Sequence, residues 1–545
     1  MFGAGGGTSS YEEIEHTDLI VLWGSNARET HPIFFHHVLK GIRNGAKLVV
    51  VDPRRTSSAE WADLWLGIDV GSDVALSNTM AREIIVSDLA NLPFIEKATL
   101  TFRKYRESVM DWTLERGERA TGIPAEVIRE FAHVYAKADR AEICWTLGIT
   151  EHHNAVDNVL ALINLGLLSG HVGRYGSGLN PLRGQNNVQG GGDMGAIPNK
   201  LPGFQDIEKD KEACARFEEV CGVPVIPKYG WNLTQMFEAM ERGDLSALYV
   251  IGENPASSEA DVGRARKILE NLDTLIVQDL FMTRTAKMAD VVLPASNSAF
   301  ESEGTVTNSE RRVQRVRKAL DPPGNARDDI WIIAQMAKRL GFDWGEVTPE
   351  SAWDELRVLS PMHAGMSYER LDELGGIRWP CWDEEHPGTK FLHARLWEEK
   401  LEDRGPKARF SVTPFEPPVD ELTEEFPLRL TTGRRLESFN TGVQTGGYSS
   451  PLHRGESIDV SPEDADRLGV SEGEVVRVTS RRGSVDAPVH VDRGLRPGLV
   501  FMTLHFPDQV ETNVLTIDAT DPKSGTAEFK ASAVRIEKLA QPVEA

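Results

Sequence analysis

The chain contains two copies of one strand-and-turn arrangement, and this repeat constrains the fold more than any other feature of the sequence. In the first copy, an apolar run at residues 18–23 is followed by Gly24-Ser25-Asn26. In the second copy, an apolar run at residues 247–251 is followed by Gly252-Glu253-Asn254. Continuous apolar runs of this kind predict buried parallel strands. Because helical segments separate the strands, the sequence predicts two doubly wound α/β domains related by an internal repeat.

The repeat extends to the next two strands of each copy. Asp52 ends the second strand of the first copy, Gln278-Asp279 ends that of the second, and Ala62-Asp63 corresponds to Ala289-Asp290. In such domains ligands bind outside the carboxyl ends of the strands, where an acidic side chain often contacts a ribose or base edge. The repeat therefore indicates two nucleotide-like groups, or one cofactor with two such ends. The alternative is a pair of α/β domains of which only one binds a ligand.

Residues 179–195 combine amides, glycines and one arginine without helical or strand periodicity. We expect this stretch to be a long irregular segment, and ordered segments of that kind are usually functional. Its amide side chains offer both donors and acceptors, and Gly190-Gly191-Gly192 lets the backbone approach a ligand closely. Arg183 adds a planar cation suited to a carboxylate or phosphate. The alternative is a polar surface loop.

The remaining segments complete the predicted organisation. Residues 301–314 are expected to form a polar ligand-binding ribbon or, alternatively, an edge hairpin, and residues 344–405 are expected to be irregular. From Pro427 onward, short strands alternate with turns and predict a β-barrel or sandwich. We therefore predict a first α/β domain at 1–185, a second α/β domain at 186–400 with the ribbon at 299–327, and a C-terminal β-barrel domain at 401–545.

Charge and cysteine usage exclude several classes of protein. The formal net charge of −23 disfavours nucleic-acid binding. The sequence has no apolar run of the length that a membrane span needs, and the residues at its start do not resemble a secretion signal. The four cysteines include no Cys-x-x-Cys pair, which argues against a disulfide framework and against an iron–sulfur cluster held by this chain alone. These features favour the cytoplasm.

Three stretches of the chain resemble the catalytic subunit of molybdopterin-dependent formate dehydrogenases, within the wider family that binds bis(molybdopterin guanine dinucleotide). They are residues 180–190, 304–314 and 277–283. The resemblance implies that each α/β domain holds one guanine dinucleotide arm, with molybdenum or tungsten between the arms. It also implies oxidation of formate to carbon dioxide, with Arg183 holding the substrate carboxylate and Gln185 lying beside it near the pterin.

The resemblance also implies the cofactor-binding residues. One arm would contact Asn26, Glu29, Thr30, Asp52, Arg54, Gly71 and Asp73. The other arm would contact Gly252, Asn254, Gln278, Asp279, Ser296 and Asp329. Positions on the pterin side would be Leu147, Gly148, Arg434, Asn513 and Lys530.

The sequence departs from this family at one important point. The family's iron–sulfur segment and its metal-ligating cysteine or selenocysteine precede the stretch that matches residues 2–6. We therefore expect both to lie upstream of Met1 or in a partner that carries electrons away, and we expect this chain alone to be inactive. A late-start gene model, a split subunit and an inactive remnant would each explain the departure. Alternative functions are action on another small oxyanion such as nitrate, and non-catalytic binding or carriage of the cofactor.

Overall fold

The computed structural model describes residues 2, 5–397, 407–436, 440 and 455–539. Gly3 and Ala4, within the stretch used above for the family comparison, lie outside the described residues. The chain forms two compact units. The first, here called the arginine unit, comprises residues 1–10, 183–254 and 268–392. The second, here called the barrel unit, comprises residues 11–182, 255–267 and 393–545.

The α/β part of the barrel unit is built on a five-stranded parallel sheet. In spatial order its strands are Leu64–Leu66, Lys47–Val51, Leu19–Trp23, Ala141–Trp145 and Gly178–Pro181. Every residue of the two central strands, Leu19–Trp23 and Ala141–Trp145, is buried. The continuous apolar sequence of Leu19–Trp23 predicts this, whereas Ala141–Trp145 also buries Glu142. The helices of this part are Tyr11–Ile14, Ala27–Thr30, Pro32–Arg43, Asp73–Val86, Leu92–Ala98, Phe102–Val109, Leu114–Thr121, Ala125–Lys137, Leu147–Thr150 and Ala155–Ser169.

The C-terminal part of the barrel unit is a closed β-barrel, as predicted. Its strands, in the order in which they pair, are Leu428–Gly433, Leu499–Thr503, Ile458–Val460, Ser484–Val491, Val475–Thr479 and Ser532–Lys538, with the helix Pro462–Leu468 beside them. The interior is filled by aliphatic side chains such as Leu430, Val478 and Val500, each fully buried. A two-stranded ladder, Thr99–Leu100 with Ala408–Arg409, also belongs to this unit.

The arginine unit contains a second parallel sheet, of three strands, and an antiparallel sheet. The parallel strands are Val291–Pro294, Thr274–Asp279 and Ala247–Ile251, and the antiparallel strands are Gly304–Thr307, Arg312–Val316 and Ile377–Arg378. Lys200–Leu201 pairs with Gln205–Asp206. The helices are Val188–Asp193, Lys211–Cys221, Leu233–Arg242, Arg284–Met288, Asp329–Arg339, Pro349–Leu359 and Tyr368–Glu373. Two further helices, Pro255–Ser258 and Val262–Glu270, follow the strand Ala247–Ile251.

The internal repeat is confirmed by equivalent backbone contacts in the two parallel sheets. Asp63 Oδ2 accepts a hydrogen bond from the backbone of the adjacent strand in one sheet, at 2.8 Å, and Asp290 Oδ2 does so in the other, at 2.7 Å. Gly24 and Gly252 both follow the first strand with positive φ angles, of 56° and 62°, which a glycine adopts without strain. The same polar residues therefore perform the same local task in each sheet.

Two expectations about irregular segments were wrong. The stretch 179–195 includes the end of the strand Gly178–Pro181 and the helix Val188–Asp193. The region 344–405 includes the helices Pro349–Leu359 and Tyr368–Glu373 among its described residues. The helix Val188–Asp193 forms in spite of weak local propensity, since its three glycines disfavour that conformation in isolation. The helix Pro349–Leu359 instead begins with a capping box of Thr348 and Ser351, a local signal for a helix start.

Candidate active site

In the barrel unit, the loops after two neighbouring strands meet at a pair of glycines. Gly24 O accepts hydrogen bonds from Gly148 N at 3.2 Å and from Thr146 Oγ1 at 2.6 Å. A Cβ atom added to Gly148 would lie 2.6 Å from Gly24 Cα, which is closer than two non-bonded carbon atoms can approach. Only glycine at both positions allows this contact. The predicted pterin-side residue Gly148 therefore lies at the carboxyl edge of the sheet.

Asn26 ties the first strand-end turn to the loop that follows the second strand. Its Oδ1 accepts hydrogen bonds from Ser57 Oγ at 3.2 Å and from Ser58 Oγ at 2.9 Å. Ser57 Oγ also donates to Glu29 Oε1 at 2.7 Å, and Thr30 Oγ1 donates to Asn26 O at 3.1 Å. Three of the residues predicted for the first arm are thus grouped at one edge of the sheet.

Asp52 is a buried carboxylate at the end of the second strand. Its Oδ1 accepts a hydrogen bond from Arg54 N at 2.9 Å. Burial raises the pKa of Asp52 to about 6, although the charges of Arg54 and Lys530 oppose this effect. The Arg54 guanidinium lies 3.6 Å from the centre of the Phe501 ring, on a barrel strand, in a cation–π contact.

A second buried acidic group lies at the start of the helix Asp73–Val86. Asp73 Oδ1 accepts a hydrogen bond from Trp23 Nε1 at 2.8 Å, and burial raises the pKa of Asp73.

His152 contacts acceptors at both ring nitrogens: Glu528 through Nδ1 at 3.2 Å and Gly148 O through Nε2 at 3.1 Å. Both nitrogens must donate, so the ring fits this position as an imidazolium paired with Glu528.

The pKa values of the His152–Glu528 pair agree with that assignment. Burial lowers the pKa of His152, but the charge of Glu528 and its hydrogen bond more than reverse this effect, so the pKa is raised overall. Burial raises the pKa of Glu528, but His152 and His153 more than offset it and hold the pKa well below its usual range. The pair therefore connects the barrel to the backbone of Gly148 through a charged hydrogen-bonded contact.

The other residues predicted for the barrel unit lie in the strand-end and barrel loops. Lys530 Nζ donates to Thr432 O at 3.0 Å and forms an ion pair with Glu151 at 2.7 Å. Asn513 Nδ2 donates to Ser257 O at 3.1 Å. The remaining positions are Leu147 at the start of the helix Leu147–Thr150, Gly71 with a φ of 82°, and Arg434, whose Nε donates to Asn440 Oδ1.

In the arginine unit, the predicted second-arm residues lie at the carboxyl edge of the three-stranded sheet. Asn254 Oδ1 accepts hydrogen bonds from Thr285 N at 3.2 Å and Thr285 Oγ1 at 2.8 Å, so Asn254 holds the start of the helix Arg284–Met288, which follows the next strand. Gln278 Nε2 donates to Asp329 Oδ1. Burial raises the pKa of both Asp279 and Asp329.

Arg183 is fixed in the arginine unit at both its backbone and its side chain. Its backbone N donates to Ser309 Oγ at 2.8 Å, and Ser309 Oγ donates to Arg183 O at 2.9 Å. The guanidinium donates from Nε to Gln189 Oε1 at 3.2 Å and from Nη2 to Gly5 O at 2.9 Å. Burial lowers the pKa of Arg183, and the charge of Asp193 opposes this effect.

Asp193 lies one helical turn beyond Gln189 and is completely buried. Its Oδ1 accepts a hydrogen bond from Gln189 Nε2 at 2.7 Å, and its Oδ2 accepts one from Trp379 Nε1 at 2.8 Å. Burial raises the pKa of Asp193 to about 6, and hydrogen bonds from Gln189, Trp379 and Thr307 and the charge of Arg183 oppose this effect. The carboxyl group is therefore ionised above about pH 6.

The glutamine whose side chain contacts the Arg183 guanidinium is Gln189, and the place of Gln185 near the pterin stays a prediction. Sequence reasoning missed Gln189, Asp193 and Ser309 as partners of Arg183. The available signal was the spacing of Gln189 and Asp193, since residues four apart share one face of a helix. This spacing is informative only in a helix, and the segment was expected to be irregular.

Each unit has buried polar atoms at its own strand edge that could bind a polar ligand. Ser25 Oγ and Trp145 Nε1, at the ends of two strands in the barrel unit, are buried and have no hydrogen-bond partner among the described residues. Ser296 Oγ, after the third strand of the arginine unit, is also buried and has no hydrogen-bond partner within the described ranges. Buried polar atoms seldom lack partners in native proteins, so these atoms suit a ligand that would supply the missing hydrogen bonds. Gly252 adds space, because no atom lies within 4 Å of the position that a Cβ would occupy.

Among the described residues, no three histidine, cysteine or acidic side chains are grouped so that they could hold a metal ion. Within the same part of the chain, every helix is too short or too polar to span a lipid bilayer.

Comparisons with known protein families identify both parts of the sequence. The family described as "Molybdopterin oxidoreductase" matches residues 4–339, and the "Molydopterin dinucleotide binding domain" matches residues 428–533. The second match coincides with the β-barrel. The chain therefore contains both of these sequence domains.

Curated relatives match over almost the whole chain. The F420-dependent formate dehydrogenase subunit alpha of Methanocaldococcus jannaschii is 41% identical over 545 residues, which cover 99% of this chain and 79% of the relative. Formate dehydrogenase H of Escherichia coli is 36% identical over 544 residues, covering 99% of this chain and 75% of the relative. Among solved structures, acetylene hydratase from Pelobacter acetylenicus matches with a TM-score of 0.75 at 21% identity, covering 99% of this chain and 80% of that protein, which establishes the fold alone.

Proposed function

We infer the function from one premise: the chain belongs to the molybdopterin oxidoreductase family. Its cofactor is accordingly a molybdenum or tungsten bis(molybdopterin guanine dinucleotide), and its chemistry is that of an oxidoreductase. We propose that the chain is the large part of a formate dehydrogenase that oxidises formate to carbon dioxide. The relatives that are named formate dehydrogenases support this assignment.

The observation that carries the proposal is that hydrogen bonds hold both the backbone and the guanidinium of Arg183 in place. Its backbone is fastened to Ser309 at two atoms, and its guanidinium is fastened to Gln189 and Gly5. A planar guanidinium whose orientation is already fixed can bind a small carboxylate with less further loss of side-chain freedom. Its partial burial strengthens the attraction, because charges interact more strongly where water is excluded.

We propose separate roles for the chain's residues in this reaction. Arg183 would bind the formate carboxylate and keep the carbon-bound hydrogen directed away from the guanidinium, with Gln185 lining the pterin side as predicted. Oxidation of formate releases carbon dioxide, one proton and two electrons. The molybdopterin cofactor, when bound, would supply the metal centre as the acceptor for those electrons. Arg183 keeps its charge throughout, because its pKa stays far above neutrality in proteins.

We further propose that the two strand edges each hold one dinucleotide arm. In the barrel unit this assigns the first arm to Asn26, Glu29, Thr30, Asp52, Arg54, Gly71 and Asp73, and pterin contacts to Leu147, Gly148, Arg434, Asn513 and Lys530. In the arginine unit it assigns the second arm to Gly252, Asn254, Gln278, Asp279, Ser296 and Asp329. The buried unpartnered atoms at both edges support these assignments.

Three finer statements also belong to the proposal. We propose that the domains follow the predicted boundaries 1–185, 186–400 and 401–545. Electrons would leave through an iron–sulfur partner or segment, in keeping with the subunit designation in the name of the M. jannaschii relative. We propose a cytoplasmic location, because all four cysteines are free thiols, as a reducing compartment favours.

The experiment is formate-dependent dye reduction by the holoenzyme purified with its native partners, together with analysis of bound metal and guanine nucleotide. Replacing Arg183→Gln should lower kcat/KM for formate by about 10- to 150-fold, which corresponds to losing a charge-assisted hydrogen bond of about 1.5–3 kcal/mol. Arg317→Lys is the matched control, because Arg317 is an exposed arginine of the same unit that pairs with Asp372. Formate turnover that is equally fast in the two variants would contradict the proposal, and turnover of nitrate but not formate would reassign the substrate.

A further inference from the structure

The support of Arg183 continues through two further side chains. The guanidinium Nε donates to the oxygen of the Gln189 amide, and the nitrogen of that amide donates to Asp193 Oδ1. A primary amide can offer either its oxygen or its nitrogen toward a neighbour, and the two orientations differ by a half-turn about one bond. Arg183 requires the oxygen, because a guanidinium only donates. Some other group must therefore determine how the Gln189 amide is turned.

Asp193 is the group suited to that task. An ionised carboxylate only accepts hydrogen bonds, so it selects the nitrogen of the Gln189 amide and leaves the oxygen for Arg183. Gly5 O adds a second acceptor for the same nitrogen, at 3.1 Å. The other carboxylate oxygen is occupied by Trp379 Nε1, so Asp193 is itself held at both oxygens.

We propose that Asp193 is a positioning residue for the anion-binding arginine: it sets the direction of the Gln189 amide and, through it, the orientation of the Arg183 guanidinium. The inference deepens the proposed function and rests on it only in taking formate as the anion. Neither Asp193 nor Gln189 has to touch the substrate in this arrangement.

The protonation state of Asp193 gives the inference a pH dependence. The groups that face its carboxyl are Gln189 on its own helix, Thr307 on the antiparallel hairpin, Trp379 after the strand Ile377–Arg378, and the charge of Arg183. Near them, the Arg311 guanidinium lies 5.3 Å from the centre of the Trp379 ring. Protonation turns an accept-only carboxylate into a group that can also donate, so it removes the selection of the amide nitrogen. The arrangement should therefore weaken below about pH 6.

The test reads the Arg183 side chain directly, in the purified holoenzyme and without substrate. With arginine labelled by nitrogen-15, the Arg183 Nε–H signal is identified by its absence in Arg183→Lys. Asp193→Asn should shift this signal and raise its exchange with water by about tenfold or more, because the hydrogen bond to Gln189 is no longer maintained. Asp206→Asn, a carboxylate of the same unit that pairs with Lys200, should leave the signal unchanged.

A double variant separates positioning from general support of the fold. Gln189→Met removes the acceptor of Arg183 Nε with little change in volume. Adding Asp193→Asn to Gln189→Met should then cause only the small shift that follows from losing the Asp193 charge, since the amide that Asp193 orients is no longer present. Asp193→Glu, which keeps an accept-only group, should restore part of the parent signal. If Asp193→Asn does not fold, Gln189→Met and Asp193→Glu still provide the comparison.

The formate readout is kept separate. Asp193→Asn should raise KM for formate by about tenfold while changing kcat less. In the parent, KM should rise below about pH 6 as Asp193 becomes protonated, and Asp193→Asn should abolish this pH dependence. The inference would be overturned if the Arg183 signal were the same in Asp193→Asn as in the parent. It would also be overturned if Asp193→Asn shifted the signal as much in the Gln189→Met protein as in the parent. Absence of formate oxidation in the parent would contradict only the proposed function, since the Arg183 signal is measured without formate.

Discussion

The substitution Gly148→Ala tests the close backbone contact between Gly148 and Gly24, where the two strand-end loops of the barrel unit meet. The new Cβ would lie 2.6 Å from both Gly24 Cα and Gly24 O, and each of these atoms belongs to the backbone of a buried turn. Overpacking of this kind costs about 1–3 kcal/mol, and the upper end applies because no flexible side chain can move aside. The gain in helix propensity from glycine to alanine offsets up to about 1 kcal/mol. The expected net destabilisation is about 2 kcal/mol.

The assay is the apparent Tm at one fixed heating rate, since unfolding of a large chain is governed partly by its rate. A loss of about 2 kcal/mol lowers Tm by about 4–8 °C in a cooperative unit of 150–250 residues and by less in a larger one. Gly263→Ala is the matched control, because Gly263 lies in the helix Val262–Glu270 and its nearest neighbour, Asp261 Oδ1, is 3.9 Å from the added Cβ. A Gly148→Ala protein as stable as the Gly263→Ala protein would refute the reasoning.

Further expectations follow from other contacts. Ser309→Ala removes both hydrogen bonds between the Ser309 hydroxyl and the Arg183 backbone, worth about 1–3 kcal/mol together, so KM for formate should rise about 5- to 150-fold. An unchanged KM would show that these two hydrogen bonds are not needed to hold Arg183. Glu528→Gln should lower the apparent Tm most between about pH 4.5 and 6.5. The stability that the ion pair with His152 contributes is lost below this range, as Glu528 with its lowered pKa is protonated, and above it, as His152 with its raised pKa loses its proton. A Tm difference that does not vary with pH would contradict the ion pair. Gly252→Ala should destabilise by about 1–2 kcal/mol, since its φ of 62° is unfavourable for alanine but the site has room for the Cβ. A loss well above about 2 kcal/mol would contradict the absence of a steric clash at this position.

The sequence by itself determined the fold class and the local chemistry of the strand ends. Continuous apolar strands followed by Gly-x-Asn predict a parallel sheet with a polar carboxyl edge, because burial on both faces leaves the polar residues only at the strand ends. The repeat of Asp63 at Asp290 was likewise readable, since each carboxylate contacts a backbone N–H within its own sheet. Such features depend on residues that are close in sequence or related by strand order.

Only the tertiary structure decided how Arg183 is held. Ser309 is 126 residues away along the chain and Gly5 is 178 residues away, so no periodicity or spacing could have paired them with Arg183. The same limit applies to Trp379, which contacts Asp193 across 186 residues. The helix that carries Gln189 and Asp193 has weak local propensity, and it is stabilised by these distant contacts rather than by its own sequence. Local rules describe what one segment prefers, whereas the identity of a buried polar partner depends on which distant segment folds against it.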